Sequence, residues 1–276
     1  MSTESKKAIG FVAILDIIFI VFLSLSGSFS GLLSTIFYIF AFVVPIFMGY
    51  LTTRDENSDV EFLGIGAAKS TVPFIAPTIG TVMLISTLTS LIINALGGGE
   101  NSVELGDNLV LALISHALAP AIFEEALFRY IPMRVMKKES PVLLLAYSSI
   151  FFALIHHSFF SIPYALFAGI AFMALDLMAG SIWPSVIIHF LNNALSVVLM
   201  FYGDSAALSA VLISAVAVLV AASVVFIVMN RKKYSEFAKK FADLSTLKSA
   251  PPKEIWVLVI PMLVVALLEL LQQTKL

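Results

Sequence analysis

The sequence predicts an all-α, polytopic transmembrane helical bundle of about nine spans, with eight as the alternative, and three observations carry that expectation. Of the 276 residues, 60% are apolar and 12% charged, and the mean hydropathy is +1.02. A soluble domain averages about 45–50% apolar and about 25% charged residues. The apolar residues gather into runs near the roughly 20 that a helix needs to cross hydrocarbon. The basic residues then fall in alternate loops.

Composition also excludes function classes. A formal net charge of −2 and a pI near 6.1 argue against a polybasic nucleic-acid binder. No cysteine is present, so there is no disulfide framework, thiolate metal site, iron–sulfur cluster or cysteine nucleophile.

The first span, about 8–25, follows Lys6 and Lys7. Its long core and the spans behind it make it a retained anchor rather than a cleaved leader. The second, about 31–51, contains Pro45 and ends before Arg54. The third, about 71–96, follows Lys69, contains Pro73 and Pro77, and stops at Gly97-Gly98-Gly99. Proline inside a span is tolerated because neighbouring helices satisfy the freed backbone groups.

The loop 97–108 carries Glu100, Glu104 and Asp107 and no Lys or Arg. The fourth span, about 109–133, is followed by Arg134, Lys137 and Lys138. Spans at about 141–158, 162–179, 182–202 and 206–230 come next. The densest basic segment, 231–254, holds Arg231, Lys232, Lys233, Lys239, Lys240, Lys248 and Lys253. Within it, Glu236 to Leu247 is mildly amphipathic and reads as a helix lying on the cytoplasmic leaflet. Pro251-Pro252 precede a ninth span at about 255–272.

With nine spans every basic loop shares one side. That places the N-terminus in the cytoplasm and the C-terminus outside. The whole chain, 1–276, reads as one integral membrane domain without internal repeats.

Ionisable residues are costly at bilayer depth, and each is a candidate for function. Within the spans stand Asp16, His116, Glu124, Glu125, Arg129, His156, His157, Asp176, His189 and Glu269, with Asn192 and Asn193. All four histidines are on this list. On a helix, Glu125 and Arg129 are i,i+4 neighbours in the favourable order. Glu124 points about 140° away from Arg129 and is left for another face. The alternative is a charge network that locks helices together.

His156 and His157 point to different faces, so one at most shares a site with Glu124. Pro184 starts a helix on which His189 and Asn193 fall i,i+4, two hydrogen-bond donors side by side. A polar stripe joining helices is the alternative there. Counted from the cytoplasmic ends, Glu124 lies about 15 Å deep, His156 roughly 22 Å, His189 roughly 10 Å and Asn193 roughly 16 Å. One site within region 109–202 is geometrically permitted.

A carboxylate facing a histidine can activate a water for attack on a carbonyl. A His/Asn pair can hydrogen-bond the developing oxyanion. Gly-x-Ser-x-Gly and His-Glu-x-x-His are both absent. Glu124, His156 and His189 with a water also make an ordinary catalytic zinc set.

Glu-Glu-x-x-x-Arg (Glu124, Glu125, Arg129), Phe-x-x-x-His (Phe152, His156) and His-x-x-x-Asn (His189, Asn193) stand in order in apolar helices. With Ser181-Ile182-Trp183-Pro184 leading into the last, the region 120–200 resembles the CPBP family of CAAX proteases and bacteriocin-processing enzymes. That family includes the type II CAAX prenyl endopeptidases. The resemblance implies a glutamate-dependent intramembrane endopeptidase. Glu124 would be the general base, His156 would help position the water, and His189 with Asn193 would form the oxyanion hole. Glu125 and Arg129 would be supporting residues, while His116 and His157 would be structural.

The expectation is a site with no metal and no cofactor, although the spacing alone leaves zinc open. Expected partners are the lipid bilayer and a prenylated or membrane-associated peptide or protein substrate, with no nucleic acid. The enzyme is expected to be a monomer in the cell membrane, its site opening to the cytoplasm. A non-catalytic scaffold or immunity factor on the same fold is one rival. An ion-coupled transporter is another, and the lack of repeats counts against it.

Overall fold

Charge at helix ends and proline within helices set the frame of this molecule. A computed structural model describes residues 3–54, 60, 62, 68–95, 106–156, 161–202 and 205–241. Nine helices follow one another in it: α1 (Thr3–Ser28), α2 (Gly31–Thr53), α3 (Ala68–Ala95), α4 (Leu109–Val135), α5 (Pro141–Leu154), α6 (Ile162–Ala179), α7 (Trp183–Tyr202), α8 (Ala206–Met229) and α9 (Arg231–Phe241). No β-strand occurs among the described residues. The all-α bundle is therefore as expected, and seven helices are long and apolar enough to cross a membrane. The ninth expected span, 255–272, lies outside the described residues, as does Glu269.

Three expectations need correction. The span at 141–158 is a helix only as far as Leu154, 14 residues long, or about 21 Å against roughly 30 Å of hydrocarbon. Its end has a local cause. His156 Nδ1 sits 2.8 Å from the Phe152 carbonyl, the group its own backbone N–H would use in a continuing helix. The His156 N–H turns to Ala153 instead, at 3.3 Å. Such a short element survives because most of its residues are buried by neighbours.

The amphipathic helix begins at Arg231 rather than Glu236. Its anchor is Tyr234, whose hydroxyl donates to the Pro73 carbonyl at 2.9 Å. Pro77 has no N–H to offer that carbonyl, so the tyrosine satisfies an orphan acceptor. The Tyr234 ring also packs on Phe74, with centroids 4.7 Å apart. Burial pushes its phenol up to about 12, which keeps it a donor at any physiological pH.

Arg134 is expected in a water-facing loop, yet it is buried. Its guanidinium donates to the Thr53 carbonyl at 2.7 Å and to Thr53 Oγ1 at 3.0 Å. A cation on the last carbonyls of α2 complements the helix dipole. Within the core, Tyr147 of α5 donates to Asp16 of α1 at 2.6 Å. That bond gives the one acid of α1's apolar core an interhelical role.

Helix α4 is the centre of the molecule, packed against α1, α2, α5 and α7. Small residues let the surrounding helices approach closely, as in other membrane bundles. Gly169 of α6 crosses α5 so tightly that a Cβ would lie 2.8 Å from the Ser149 Cα. Gly169→Ala is therefore expected to destabilise by about 1–3 kcal/mol through overpacking. Thermal unfolding in detergent measures it, and an unchanged midpoint would contradict the close crossing.

Candidate active site

The site is assembled by a helix that departs from regular α geometry. Helix α4 is α-helical over Ala119–Glu125 but widens into π turns over Ile114–Leu118 and Ala126–Tyr130. Single π turns inside α-helices often mark functional positions. Glu124 and Glu125 are the last residues before the second π turn, and Arg129 lies within it.

Arg129 and Glu125 pair as the spacing predicts. Arg129 Nη1 donates to Glu125 Oε1 at 3.2 Å, and Nε stands 3.2 Å from Oε2. Both side chains are fully buried. The Arg129 guanidinium also lies over the Phe152 ring, 3.9 Å from its centroid, and 5.6 Å from that of Phe172. Cation–π contact of this kind gains strength away from water.

His189 of α7 faces both glutamates. Its Nδ1 is 2.7 Å from Glu125 Oε1, and its Nε2 is 3.9 Å from Glu124 Oε2. A carboxylate only accepts, so Nδ1 carries a proton and donates to Glu125. The 3.9 Å gap to Glu124 exceeds hydrogen-bond range, but a single water about 2.8 Å from each atom would straddle it. Glu124 Oε2 is buried and receives no hydrogen bond from the described residues.

The position of His189 is fixed one turn earlier on its helix. Gly180, at φ +65°, ends α6 in the left-handed conformation that favours glycine. The chain then enters α7 through Trp183-Pro184. Ser185 gives Asp176 of α6 both its backbone N–H, at 3.2 Å to Oδ1, and its hydroxyl, at 2.6 Å to Oδ2. Asp176 thus caps the first turn of α7, where an anion is favoured. It lies close enough to Glu125 and Arg129 to interact with their charges.

His156 stands just beyond the end of α5. A carbonyl only accepts, so the Nδ1 contact to Phe152 assigns the proton there and makes Nε2 the acceptor of the neutral ring. The Phe152 ring meets His156 with centroids 4.8 Å apart and His189 at 5.8 Å. Phe152 is therefore the shared wall between both histidines and Arg129. Asn193 follows His189 by one turn and is half-buried, its Oδ1 accepting from Asn192 Nδ2 at 3.4 Å.

The structure thus brings Glu124, Glu125, Arg129 and His189 into direct contact. His156 joins them across Phe152, and Asn193 lies one helical turn above His189. His116 is half-buried within the first π turn, and His157 lies outside the described residues. Among the described residues, no three His, Cys, Asp or Glu side chains are arranged to hold a metal ion.

Sequence reasoning left several neighbours without a role. Asp176 stands out as an intramembrane acid, but its partner Ser185 gives no signal. Phe172, beside Arg129 and His189, looks like any core aromatic. Tyr164, whose hydroxyl accepts from Asn192 Nδ2 at 2.8 Å, is equally silent.

These features define a class: a multi-pass helical membrane protein that encloses an acid–histidine centre within its bundle. Within that class, residues 106–195 match the family model described as Type II CAAX prenyl endopeptidase Rce1-like. The matched stretch holds all three motifs, so the recognition made on them stands. The family is one of CAAX protease-type intramembrane endopeptidases. No curated protein and no solved structure matches the chain.

Proposed function

We propose that this protein is a glutamate-dependent intramembrane endopeptidase. It hydrolyses a peptide bond near the C-terminus of a prenylated or otherwise membrane-bound substrate. The observation that carries the reading is the buried Glu124 Oε2, unbonded and 3.9 Å from His189 Nε2, inside the stretch matched to the family.

Glu124 takes a proton from a water whose oxygen attacks the scissile carbonyl carbon. His156, whose Nε2 is an acceptor, helps hold that water. The carbonyl oxygen becomes an oxyanion and receives hydrogen bonds from the His189 ring and from the Asn193 amide. Donors fixed in a site shielded from bulk water stabilise such charge far more than they would in water. Glu125, backed by Arg129, holds the His189 ring by its Nδ1–H. Glu124 then delivers its proton to the amide nitrogen, the C–N bond breaks, and a carboxylate and an amine leave. The site opens to the cytoplasm of a cell in whose membrane the enzyme lies.

The test is cleavage of a quenched farnesylated CAAX peptide by purified protein, with the unprenylated peptide and a chelator series alongside. The expected result is cleavage that favours the prenylated peptide and survives chelation. A wild-type protein inert on a broad peptide panel would overturn the reading in favour of a scaffold. Activity lost to chelation and restored by zinc would overturn the metal-free mechanism.

A further inference from the structure

An oxyanion hole needs the donor end of Asn193's amide turned toward substrate, and nothing in the residue itself decides which end that is. Asn192 makes the decision locally. Its Nδ2 has two hydrogens, one directed at the Tyr164 hydroxyl at 2.8 Å and one at Asn193 Oδ1 at 3.4 Å. With Oδ1 engaged, the Asn193 NH2 is presented on the opposite side.

This chain of amides has a second, reversed arrangement. If the Tyr164 hydroxyl donated to Asn192 Oδ1, that oxygen would also draw in Asn193 Nδ2. Asn193 would then present an acceptor, which repels an oxyanion. Either direction satisfies the same atoms, because a hydroxyl both donates and accepts. The phenol therefore selects the arrangement.

Its surroundings make it an acceptor toward Asn192. The charges of Glu124 and Glu125 act on the Tyr164 phenol, and Ser86 of α3 stands near it. The two carboxylates attract the phenolic proton. The Asn192 amide donates to a lone pair of the phenol oxygen at 2.8 Å. Asn192 is itself buried, so water offers no competing partner.

We infer that Tyr164 and Asn192 are positioning residues that set the polarity of Asn193, fixing its amide with the N–H side toward the reacting carbonyl. The inference rests on the proposed role of Asn193 as an oxyanion donor, and it adds helix α6 to the machinery of that site.

A double-mutant cycle tests it. Asn193→Ala alone is expected to lower kcat on the order of 10²-fold, the effect of removing one oxyanion donor. Tyr164→Phe keeps the ring and removes only the hydroxyl. It is expected to lower kcat about 10-fold in the wild-type background with KM unchanged, and to lower the thermal midpoint slightly because the buried Asn192 amide loses its acceptor. In the Asn193→Ala background the same change is expected to have no further effect, because its only route of action is gone. Effects that multiply, or a Tyr164→Phe enzyme of full activity, would overturn the inference and leave the proposed function standing. An Asn193→Ala enzyme of full activity would instead overturn the role assigned to Asn193.

Discussion

Glu124→Gln is expected to lower kcat on the order of 10³-fold or more, the upper range for loss of a general base, with little change in stability. The two halves of that expectation come from the same geometry. Glu124 Oε2 receives no hydrogen bond from the described residues, and its side chain keeps 16% exposure. The amide is isosteric, so no fold contact is lost, but it has no lone pair basic enough to take a proton from water. Glu125→Gln is expected to differ in kind. That side chain is fully buried between Arg129 and His189, so loss of its charge leaves the guanidinium without its counterion. Both activity and thermal midpoint should fall. Measuring kcat and the detergent melting curve for the two variants separates the roles. Equal destabilisation by both substitutions would contradict the division of labour.

The contrast between these neighbours was half legible in the sequence. Spacing on a regular helix pairs Glu125 with Arg129 and sends Glu124 elsewhere, and the structure agrees on the pair. The spacing did not show that both acids reach the same histidine, because that depends on how α7 packs against α4. Glu-Glu-Ala-Leu-Phe-Arg-Tyr carries no residue that announces a wider turn. Helix boundaries were easier to read: Pro184 opens α7 for reasons of backbone sterics. The premature end of α5 escaped notice because its cause is a side-chain bond, His156 to Phe152, that hydropathy does not register.

Tertiary partners were the least legible part. Asp16, Asp176 and Arg134 all stand out as charge in an apolar chain. Their partners are Tyr147, Ser185 and the Thr53 carbonyl, none of which is unusual in its own segment. Polar groups inside a membrane protein must find one another because hydrocarbon offers nothing else. The chain reveals that a partner exists before it reveals which residue it is.

Arg129→Met should be the most damaging single substitution for the fold, by about 3–5 kcal/mol, the penalty for breaking a buried ion pair from one side. Arg129 is among the largest fully buried side chains in the molecule. It neutralises Glu125 and lies 3.9 Å over Phe152, which in turn abuts both histidines. Methionine has a similar length and no charge, so packing is mostly kept and the chief loss is electrostatic. Glu125 would keep the His189 contact but lose its counterion in surroundings closed to water. If that reasoning holds, the damage belongs to the stranded carboxylate rather than to the missing arginine. Replacing both partners with apolar residues of similar size, as in Arg129→Met with Glu125→Leu, should then recover most of the stability. It should not recover peptide cleavage, because His189 would have lost the group that holds its Nδ1–H. Detergent unfolding and peptide cleavage on the single and double variants decide the point. A double variant as unstable as Arg129→Met would mean that the guanidinium's contact with Phe152 and Phe172, and not its charge on Glu125, is what the bundle depends on.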